Sequence, residues 1–370
     1  DYRLGLRYDC SIEAIPEGTV VFAHEPLLRV SGPLIPCQLL ETALLTCINF
    51  QTLIATKASR MILQANGDPV LEFGLRRAQG FDGAISATRA AFIGGVQATS
   101  NVLASKLLKI PVKGTHAHSW VMIFDTEEEA FHSYAQAMPN NSVFLVDTYN
   151  SIRGVQKAIV EAKKMRAKGH EMIGIRLDSG DLASLSQEAR ILLDQAGFPE
   201  AKIIASDSLD EWRIKELKEK NACIDIWGIG TNLITAKDQP ALGGVYKLAC
   251  VTDEKGQWQD RIKLSNSRIK TSNPGILQLR RFYQPNKKAT FDILYDIRRE
   301  PSLVCYDLGS NTPIQIEESL ESIDLLQPIL DKGRLIYRFP SLEDIQLHSQ
   351  NELQRLDTRH KELRCTSSYR

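Results

Sequence analysis

The feature that most constrains the fold is a repeated pattern between residues 110 and 235. Five apolar segments each end in small and acidic residues, and helix-like segments separate them: residues 111–119, 143–150, 172–181, 202–210 and 224–232. Short apolar segments that alternate with amphipathic helices are typical of βαβ units on a parallel sheet. In such sheets, and above all in barrels, ligands bind at the carboxyl ends of the strands. The pattern therefore predicts an α/β barrel with a site where these segments end.

The composition indicates an ordinary globular protein. The 370 residues are 43% hydrophobic and 24% charged, and this length allows two domains. The net charge is zero and no basic run is present, which argues against nucleic acid as a partner. We recognise no apolar stretch of membrane-spanning length and no signal peptide, so we expect a cytoplasmic protein without a membrane. The seven dispersed cysteines, with no CxxC pair, are typical of reduced thiols.

The pattern of apolar and polar residues differs on both sides of the repeated segments. Beyond Gly243, four segments alternate apolar and polar residues, as strands with one solvated face do: residues 245–251, 257–264, 277–283 and 290–296. We predict an irregular TIM-like α/β barrel over residues 61–243. A sandwich-like α+β domain is expected from both chain termini, residues 1–60 and 244–340. A C-terminal helix and tail follow over residues 341–370.

A histidine ends the first of the five segments, within Gly114-Thr-His-Ala-His-Ser-Trp120. At the end of a barrel strand, His118 is suited to acid–base chemistry or to accepting a phosphoryl group. A structural histidine hydrogen-bonded beneath a loop is the alternative. Residues two apart on a strand point to the same face, so we expect His116 and His118 to share one.

Carboxylates end the next three segments at Asp147, Asp178 and Asp207. Three converging carboxylates repel one another unless they meet hydroxyls, cations or a metal. Ribose hydroxyls and Mg²⁺ both meet that need. An aspartate after a strand also often caps the next helix, and we expect this role for Asp181 and Asp210.

Arginine and glycine complete the set at the segment ends. Arg176 lies inside the third segment, where a buried guanidinium requires an anionic partner such as a carboxylate or phosphate. An internal ion pair with Asp178 is the other interpretation. Gly228, Gly230 and Thr231 follow the last segment and suit a phosphate site, because backbone amides can approach closely there. A tight turn alone also favours glycine.

An aromatic ring and two arginines follow a buried strand predicted over residues 70–73. Phe73 is suited to stacking on a flat ring, and Arg76 and Arg77 to holding anions. Core packing and solvated surface charge are the alternatives. Lys247 is a further candidate for a diphosphate pocket, although isolated cations usually lie on the surface.

These motifs resemble those of the nicotinate phosphoribosyltransferase family. The matching segments cover nearly the whole chain in the right order: Glu72-Phe-Gly-Leu-Arg-Arg-Ala-Gln-Gly80, Gly114-Thr-His-Ala-His-Ser-Trp120, Ile175-Arg-Leu-Asp-Ser-Gly-Asp181, Gly228-Ile-Gly-Thr-Asn-Leu233, Gly243-Gly-Val-Tyr-Lys-Leu248, Arg261-Ile-Lys-Leu264 and Phe339-Pro-Ser-Leu342. The resemblance implies an α/β barrel with a sandwich-like domain from both termini. It also implies an ATP-coupled enzyme, formally a C–N ligase and glycosyltransferase, that uses Mg²⁺ in the first step of NAD salvage from nicotinate.

The implied reaction joins nicotinate to C1 of phosphoribosyl diphosphate, giving nicotinate mononucleotide and diphosphate. ATP is a co-substrate, hydrolysed to ADP and phosphate through a phosphohistidine at the position of His118. The nicotinate ligands implied by motif position are Thr115 and Arg176, with Phe73 stacking on the ring and Arg76 nearby. Gly228, Gly230 and Thr231 resemble the 5′-phosphate site, and Lys247 joins the phosphoribosyl diphosphate set. The resemblance also implies a homodimer with shared active sites.

Four more residues receive roles within this resemblance. Asp178 and Asp207 are expected to contact the ribose hydroxyls, and Asp147 is expected to orient His118, as a carboxylate orients a catalytic imidazole. Ser100 aligns with an aspartate that binds the amide in the nicotinamide-using family. Because an aspartate repels a carboxylate and a serine does not, we predict nicotinate as the substrate.

Three alternatives remain open. A nicotinamide-using enzyme conflicts with Ser100, and a quinolinate-using enzyme conflicts with the histidine motif associated with ATP. The third is a truncated, non-catalytic paralogue that acts as a binding protein. This alternative is supported by the start of the sequence, which lies after the position of a Thr-Asp-Xaa-Tyr motif in the family. The tyrosine of that motif is expected to cover nicotinate from the partner subunit. A chain without that tyrosine is expected to bind the ring more weakly.

Overall fold

The computed structural model describes residues 7–264, 272–299, 302–307, 310 and 312–363. The chain divides into two compact units, Asp1–Asn49 with Gly243–Arg370, and Phe50–Leu242. The boundary expected near residue 60 thus moves to residue 50, because Leu53, Ile54 and Ala58 belong to the hydrophobic core of the second unit. The C-terminal helix groups with the first unit, and the tail from residue 364 onward lies outside the described residues.

The chain begins with two short strands and two helices: β1 (Ser11–Ala14), β2 (Leu28–Ser31), α1 (Leu34–Leu39) and α2 (Glu41–Ala65). β1 and β2 pair antiparallel, with Ile12 opposite Val30. By length and composition, the helical stretch Leu34–Ala65 is apolar enough to cross a membrane, which corrects the expectation that no such stretch is present. Core packing in the second unit accounts for part of its apolar character, since Ile54 and Met61 are fully buried there.

The second unit is built on a six-stranded parallel sheet: β3 (Val70–Glu72), β4 (Ala98–Thr99), β5 (Val143–Leu145), β6 (Gly174–Leu177), β7 (Lys202–Ala205) and β8 (Ile226–Ile229). The strand order is β4-β3-β8-β7-β6-β5. Most of the strand residues are fully buried, as expected for a sheet with helices on its faces. No ladder joins β4 to β5 within the described part of the chain, so the sheet is irregular compared with an eight-stranded barrel.

Eight helices of this unit connect the strands or follow them: α3 (Phe81–Ile93), α4 (Val102–Leu108), α5 (His118–Met122), α6 (Glu127–Ala137), α7 (Ser151–Ala167), α8 (Leu182–Gln195), α9 (Glu211–Glu219) and α10 (Thr231–Ile234). Asp181 caps α8, where its side chain accepts from Ala183 N–H, and Asp210 caps α9 by accepting from Arg213 N–H. Both capping predictions are therefore confirmed, and each cap begins a helix immediately after a strand end.

Four of the five predicted segments contain the strands β5 to β8, and residues 70–73 contain β3. The strand predicted over residues 111–119 is wrong. Only a single bridge from Val112 to Thr99 is formed, and α5 begins at His118. The physical reason is exposure: residues 111–114 are exposed, so this segment cannot occupy a central position in a buried sheet.

The rest of the first unit is antiparallel: β9 (Cys250–Thr252), β10 (Trp258–Asp260), β11 (Leu277–Tyr283), β12 (Ala289–Asp296), β13 (Val304–Tyr306), β14 (Pro313–Gln315), β15 (Glu321–Asp324), β16 (Gln327–Asp331), β17 (Arg334–Leu335) and α11 (Leu342–Arg355). The sheets are β17-β16-β1-β2, β12-β11-β15 and the pairs β10-β9 and β13-β14. Pairing of β1 with β16 joins the two ends of the chain, as predicted. The parallel sheet and these antiparallel sheets confirm the predicted fold class.

Candidate active site

Arg176 is the centre of a hydrogen-bond network at the carboxyl end of β6. Its Nε donates to Ser206 Oγ at 2.7 Å, and its Nη1 donates to Thr115 Oγ1 at 2.6 Å. Its Nη2 forms an ion pair with Asp178 at 3.0 Å, and Ser206 Oγ also donates to Asp178. Two hydroxyls and a carboxylate therefore hold the guanidinium in one orientation, and the internal ion pair anticipated from sequence is present.

The same contacts control the ionisation of Asp178. Burial alone would raise the pKa of this carboxyl, but the charge of Arg176 and the hydrogen bonds from Ser206 and Arg176 hold the pKa below its ordinary value. Asp178 is therefore an anion at neutral pH, although it lies in a half-buried position.

His118 lies at the first position of the short helix α5. Its Nδ1 is 3.1 Å from Thr148 Oγ1, and its Nε2 is 3.4 Å from Asp178 Oδ2 and 4.0 Å from Asp147 Oδ1. The side chain is 39% exposed. One imidazole nitrogen thus faces two carboxylates while the other faces a hydroxyl, and the ring remains accessible to a ligand.

Asp147 follows β5 and is almost completely buried, with its side chain 1% exposed. Its Oδ2 accepts from Asp178 N–H at 2.8 Å and from Ser179 Oγ at 2.7 Å. Its Oδ1 has no hydrogen-bond partner among the described residues. Burial of a carboxylate oxygen without a hydrogen-bond donor costs free energy. Oδ1 is therefore available to accept a hydrogen bond from a donor group in the site.

His116 does not share a face with His118, and the expectation that it would is wrong. Its ring is buried against Tyr134 at 4.6 Å between centroids, and its Nε2 accepts from Leu145 N–H. Burial lowers the pKa of His116 to about 4, which keeps the ring neutral. The strand alternation assumed from sequence is absent because residues 113–117 form a loop.

The ends of β3 and β8 bring a second group of predicted residues together. Phe73 N–H donates to Ile229 O at 2.7 Å, and the Phe73 ring packs directly on Gly228. A Cβ at residue 228 would lie 2.7 Å from Phe73 Cε2, so only glycine fits there. Arg77 Nη1 donates to Thr231 Oγ1 at 2.8 Å. This hydrogen bond links the turn Leu75–Arg77 to the start of α10, which Gly230 precedes.

The remaining predicted residues differ in their environments. Ser100 follows β4 and is half-buried, with its N–H bound to Glu72 O at 2.9 Å. Arg76 is exposed in the turn Leu75–Arg77. Asp207 follows β7, is partly buried and makes no side-chain hydrogen bond within the described ranges. Lys247 is exposed and belongs to the first unit, in the segment that precedes β9.

Sequence reasoning missed two polar residues of the site. Glu72 is fully buried and accepts from Gly74 N–H, from Thr88 Oγ1 at 3.1 Å and from Thr99 Oγ1 at 2.6 Å. An acid inside the apolar strand of residues 70–73 is a signal that points to it. Ser206 binds both Arg176 and Asp178 and comes directly after β7, in the position where such residues are expected.

A resident metal site is not supported by these side chains. Within the described residues, no group of three or more His, Cys, Asp or Glu side chains is placed to hold a metal ion. Mg²⁺ is commonly bound by one or two carboxylates together with substrate phosphates and water. A magnesium site would therefore need ligands besides the described side chains.

A parallel α/β sheet that presents a histidine, carboxylates and an oriented arginine at its strand ends defines an enzyme of the barrel type. Comparison with known proteins identifies the family. The family model described as the nicotinate phosphoribosyltransferase (NAPRTase) family matches residues 69–260, and the model of the C-terminal domain of nicotinate phosphoribosyltransferase matches residues 277–370.

Individual relatives agree with this match. The chain is 44% identical to nicotinate phosphoribosyltransferase of Bacillus subtilis over 362 residues, which covers 96% of this chain and 73% of the relative. It is 32% identical to the human enzyme of that name over 425 residues, with 98% and 78% covered. The crystal structure of human nicotinic acid phosphoribosyltransferase matches with a TM-score of 0.84 at 30% identity, covering 98% of this chain and 79% of that one. The chain therefore belongs to the nicotinate phosphoribosyltransferase family of enzymes.

Proposed function

We propose that the protein transfers the phosphoribosyl group of phosphoribosyl diphosphate to nicotinate, coupled to ATP hydrolysis. The products are nicotinate mononucleotide, diphosphate, ADP and phosphate. The observation that carries the proposal is the fixed guanidinium of Arg176 beside the ionised Asp178 and the accessible His118. These three groups supply a carboxylate-binding cation, a ribose-binding anion and a phosphoryl acceptor within one site.

Nicotinate is proposed to bind between Arg176 and Phe73. The carboxylate of nicotinate would accept from the Arg176 fork and from the Thr115 hydroxyl, which already lie 2.6 Å apart. The ring of Phe73, seated on Gly228, would cover one face of the pyridine ring. Arg76 adds a positive charge near the end of β3.

Asp178 and Asp207 are proposed to bind the ribose hydroxyls of phosphoribosyl diphosphate. Loss of diphosphate leaves an oxocarbenium-like sugar, which nearby anions stabilise. Gly228, Gly230 and Thr231 would hold the 5′-phosphate through backbone amides and a hydroxyl. Mg²⁺ would bind the diphosphate leaving group as part of the substrate.

His118 is proposed to accept the γ-phosphoryl group of ATP. Both Asp147 and Asp178 face Nε2, which favours a proton on that nitrogen and leaves Nδ1 as the nucleophile beside Thr148. Asp147 would orient the ring through its unpaired Oδ1. A normal rate of His118 phosphorylation in Asp147→Asn would rule out this orienting role, and ³¹P NMR would identify the phosphorylated nitrogen.

Ser100 is proposed to favour nicotinate over nicotinamide, because a serine adds no negative charge next to the substrate carboxylate. Ser100→Asp is expected to shift the ratio of kcat/KM values toward nicotinamide. Unchanged selectivity would show that Ser100 does not lie beside the carboxylate. We also propose that the protein is a cytoplasmic homodimer whose two subunits share their active sites.

A chromatographic product assay tests the central reaction. Nicotinate and phosphoribosyl diphosphate with Mg²⁺ are incubated with and without ATP, using wild type, His118→Ala and the control His132→Ala. The His132 side chain has the same 39% exposure but contacts Glu161 on α7. ATP should stimulate nicotinate mononucleotide formation in wild type and in the control only. A folded wild-type protein that forms no product would contradict the proposed transferase activity.

A further inference from the structure

Two cysteines of the first unit face each other, and neither takes part in the proposed reaction. Cys10 lies directly before β1 and Cys37 lies in α1, and their Sγ atoms are 3.7 Å apart. Both are free thiols. A disulfide bond is about 2.05 Å long, so the two sulfur atoms need to approach by only about 1.7 Å.

The backbone of each cysteine is held in place. Cys10 O accepts from Gly333 N–H at 2.8 Å, which connects it to the turn between β16 and β17. Cys37 N–H donates to Pro33 O at 3.2 Å, and Cys37 O accepts from the Tyr246 hydroxyl at 3.0 Å. Two anchored backbones with facing thiols lose little conformational freedom when a bond forms between them.

The two thiols differ in access to solvent. Cys10 is 1% exposed, and Gly32 packs against it so closely that a Cβ at residue 32 would lie 3.2 Å from Cys10 Sγ. Cys37 is partly exposed. A small oxidant can therefore reach Cys37 first, and Cys10 is positioned to react only with Cys37.

We propose that Cys10 and Cys37 form a reversible disulfide when the protein meets a low-molecular-weight disulfide such as glutathione disulfide. The Cys37 thiolate attacks one glutathione sulfur, which breaks the glutathione S–S bond and releases one glutathione thiolate. The Cys10 thiolate then attacks Cys37 Sγ and releases the second glutathione. The two cysteines lose two electrons and two protons, and both glutathione molecules leave as thiols, so the exchange is balanced.

The environment makes this exchange slower than at an exposed cysteine. Burial and the contact with Cys10 raise the pKa of Cys37 to about 11, which leaves little thiolate at neutral pH. Cys47, in α2, is exposed and serves as an internal reference. We expect Cys47 to form a stable mixed disulfide with glutathione, whereas Cys37 proceeds to an internal bond.

The test is a peptide map of the wild-type chain after incubation with glutathione disulfide. Digestion without reductant by a glutamate-specific protease separates the three thiols, because Glu13 and Glu17 lie between Cys10 and Cys37, and Glu41 lies between Cys37 and Cys47. The expected product is a linked pair of peptides, residues up to Glu13 joined to residues 18–41, that separates on addition of dithiothreitol. Cys47→Ser should form the same link, and Cys37→Ser should not.

Two outcomes would overturn the proposal. One is glutathione attached to Cys37 with no linked peptide, and the other is a link from Cys10 to Cys47. Thermal unfolding gives a readout independent of the variants, because the internal bond closes a loop of the unfolded chain. The oxidised wild type is expected to have a higher Tm than the reduced protein.

Discussion

The guanidinium of Arg176 is paired with the carboxylate of Asp178 at 3.0 Å, two residues further along the chain. The strand period places both side chains on the same face at the carboxyl end of β6. The two charges of the pair offset each other, so in the proposed binding mode the carboxylate of nicotinate competes with Asp178 for the Nη2 protons of Arg176. The hydroxyls of Ser206 and Thr115 also bind the Arg176 guanidinium and would hold it in place during that exchange.

Arg176→Lys tests this arrangement. A lysine keeps the positive charge but loses the planar fork that binds two partners at once, so one charge-assisted hydrogen bond is lost. We expect the KM for nicotinate to rise by about 10–100-fold, since such a bond contributes about 1.5–3 kcal/mol. The KM for phosphoribosyl diphosphate should change little. Steady-state kinetics with each substrate varied in turn measure both constants.

Arg166→Lys is the matched control, because Arg166 is a partly exposed arginine that pairs with the exposed Glu171 on the surface of the second unit. It should leave both KM values within about twofold. Equal increases in both KM values of Arg176→Lys would instead indicate a general disturbance of the β6 end.

The strands that hold this site were predictable because buried parallel strands are continuous apolar runs bounded by polar residues. The segments around β5, β6, β7 and β8 have this character, and their following helices start at capping side chains such as Asp181 and Asp210. At these positions the local sequence was sufficient to predict where the strands and the following helices lie. β4 was missed because two residues are too few for a periodic signal.

The contacts inside the site were not predictable from spacing. Thr115 and Arg176 are 61 residues apart and meet only through the tertiary fold. The prediction for residues 111–119 failed because an apolar beginning was taken for a strand, whereas most of the segment is an exposed loop. Proximity of His118 to Asp178 as well as Asp147 likewise depends on the side-chain positions at two neighbouring strand ends.

Gly228→Ala should disturb the aromatic wall of the site. The new methyl group would lie 2.7 Å from Phe73 Cε2 and 2.8 Å from Cδ2, below any normal carbon contact, so the ring must move. We expect the KM for nicotinate to rise by about tenfold and Tm to fall by a few degrees, for a cost of about 1–3 kcal/mol. Gly83→Ala, in α3 with no atom within 4 Å of the added carbon, should leave the KM for nicotinate unchanged and should not lower Tm, because alanine favours the helix more than glycine does.

Glu72→Ala should destabilise the second unit. The Glu72 carboxylate is fully buried and satisfies Gly74 N–H and the hydroxyls of Thr88 and Thr99. Its removal leaves these donors without a partner and opens a cavity, so the free energy of unfolding should fall by about 3–5 kcal/mol. Urea unfolding followed by tryptophan fluorescence measures the change. The exposed Glu171→Ala should cost less than about 1 kcal/mol, and a similar loss in both variants would contradict the role given to Glu72.

Glu25 predicts a pH dependence of stability in the first unit. The buried Arg281 binds both Asp292 and Glu352 at 2.7 Å, and Glu25, whose Oε2 accepts from Phe22 N–H, adds a third carboxyl beside Asp292. Burial and the charge of Asp292 raise the pKa of Glu25 from its ordinary value of 4.5 to about 8. The folded protein therefore binds this proton more tightly than the unfolded chain does.

The sign of the effect follows from this tighter binding. Between pH 4.5 and about 8 the folded state holds the proton and the unfolded state does not, so the contribution of Glu25 to stability falls by up to about 1.4 kcal/mol per pH unit. It is complete below pH 4.5 and lost above about 8. Glu25→Gln keeps a donor toward Asp292 and an acceptor for Phe22 N–H without titrating. Urea unfolding at pH 5 and pH 8 should show the variant gaining about 2–4 kcal/mol over wild type across this range, whereas the exposed Glu343→Gln should track wild type. Parallel pH profiles for wild type and Glu25→Gln would show that Glu25 is ionised in the folded protein.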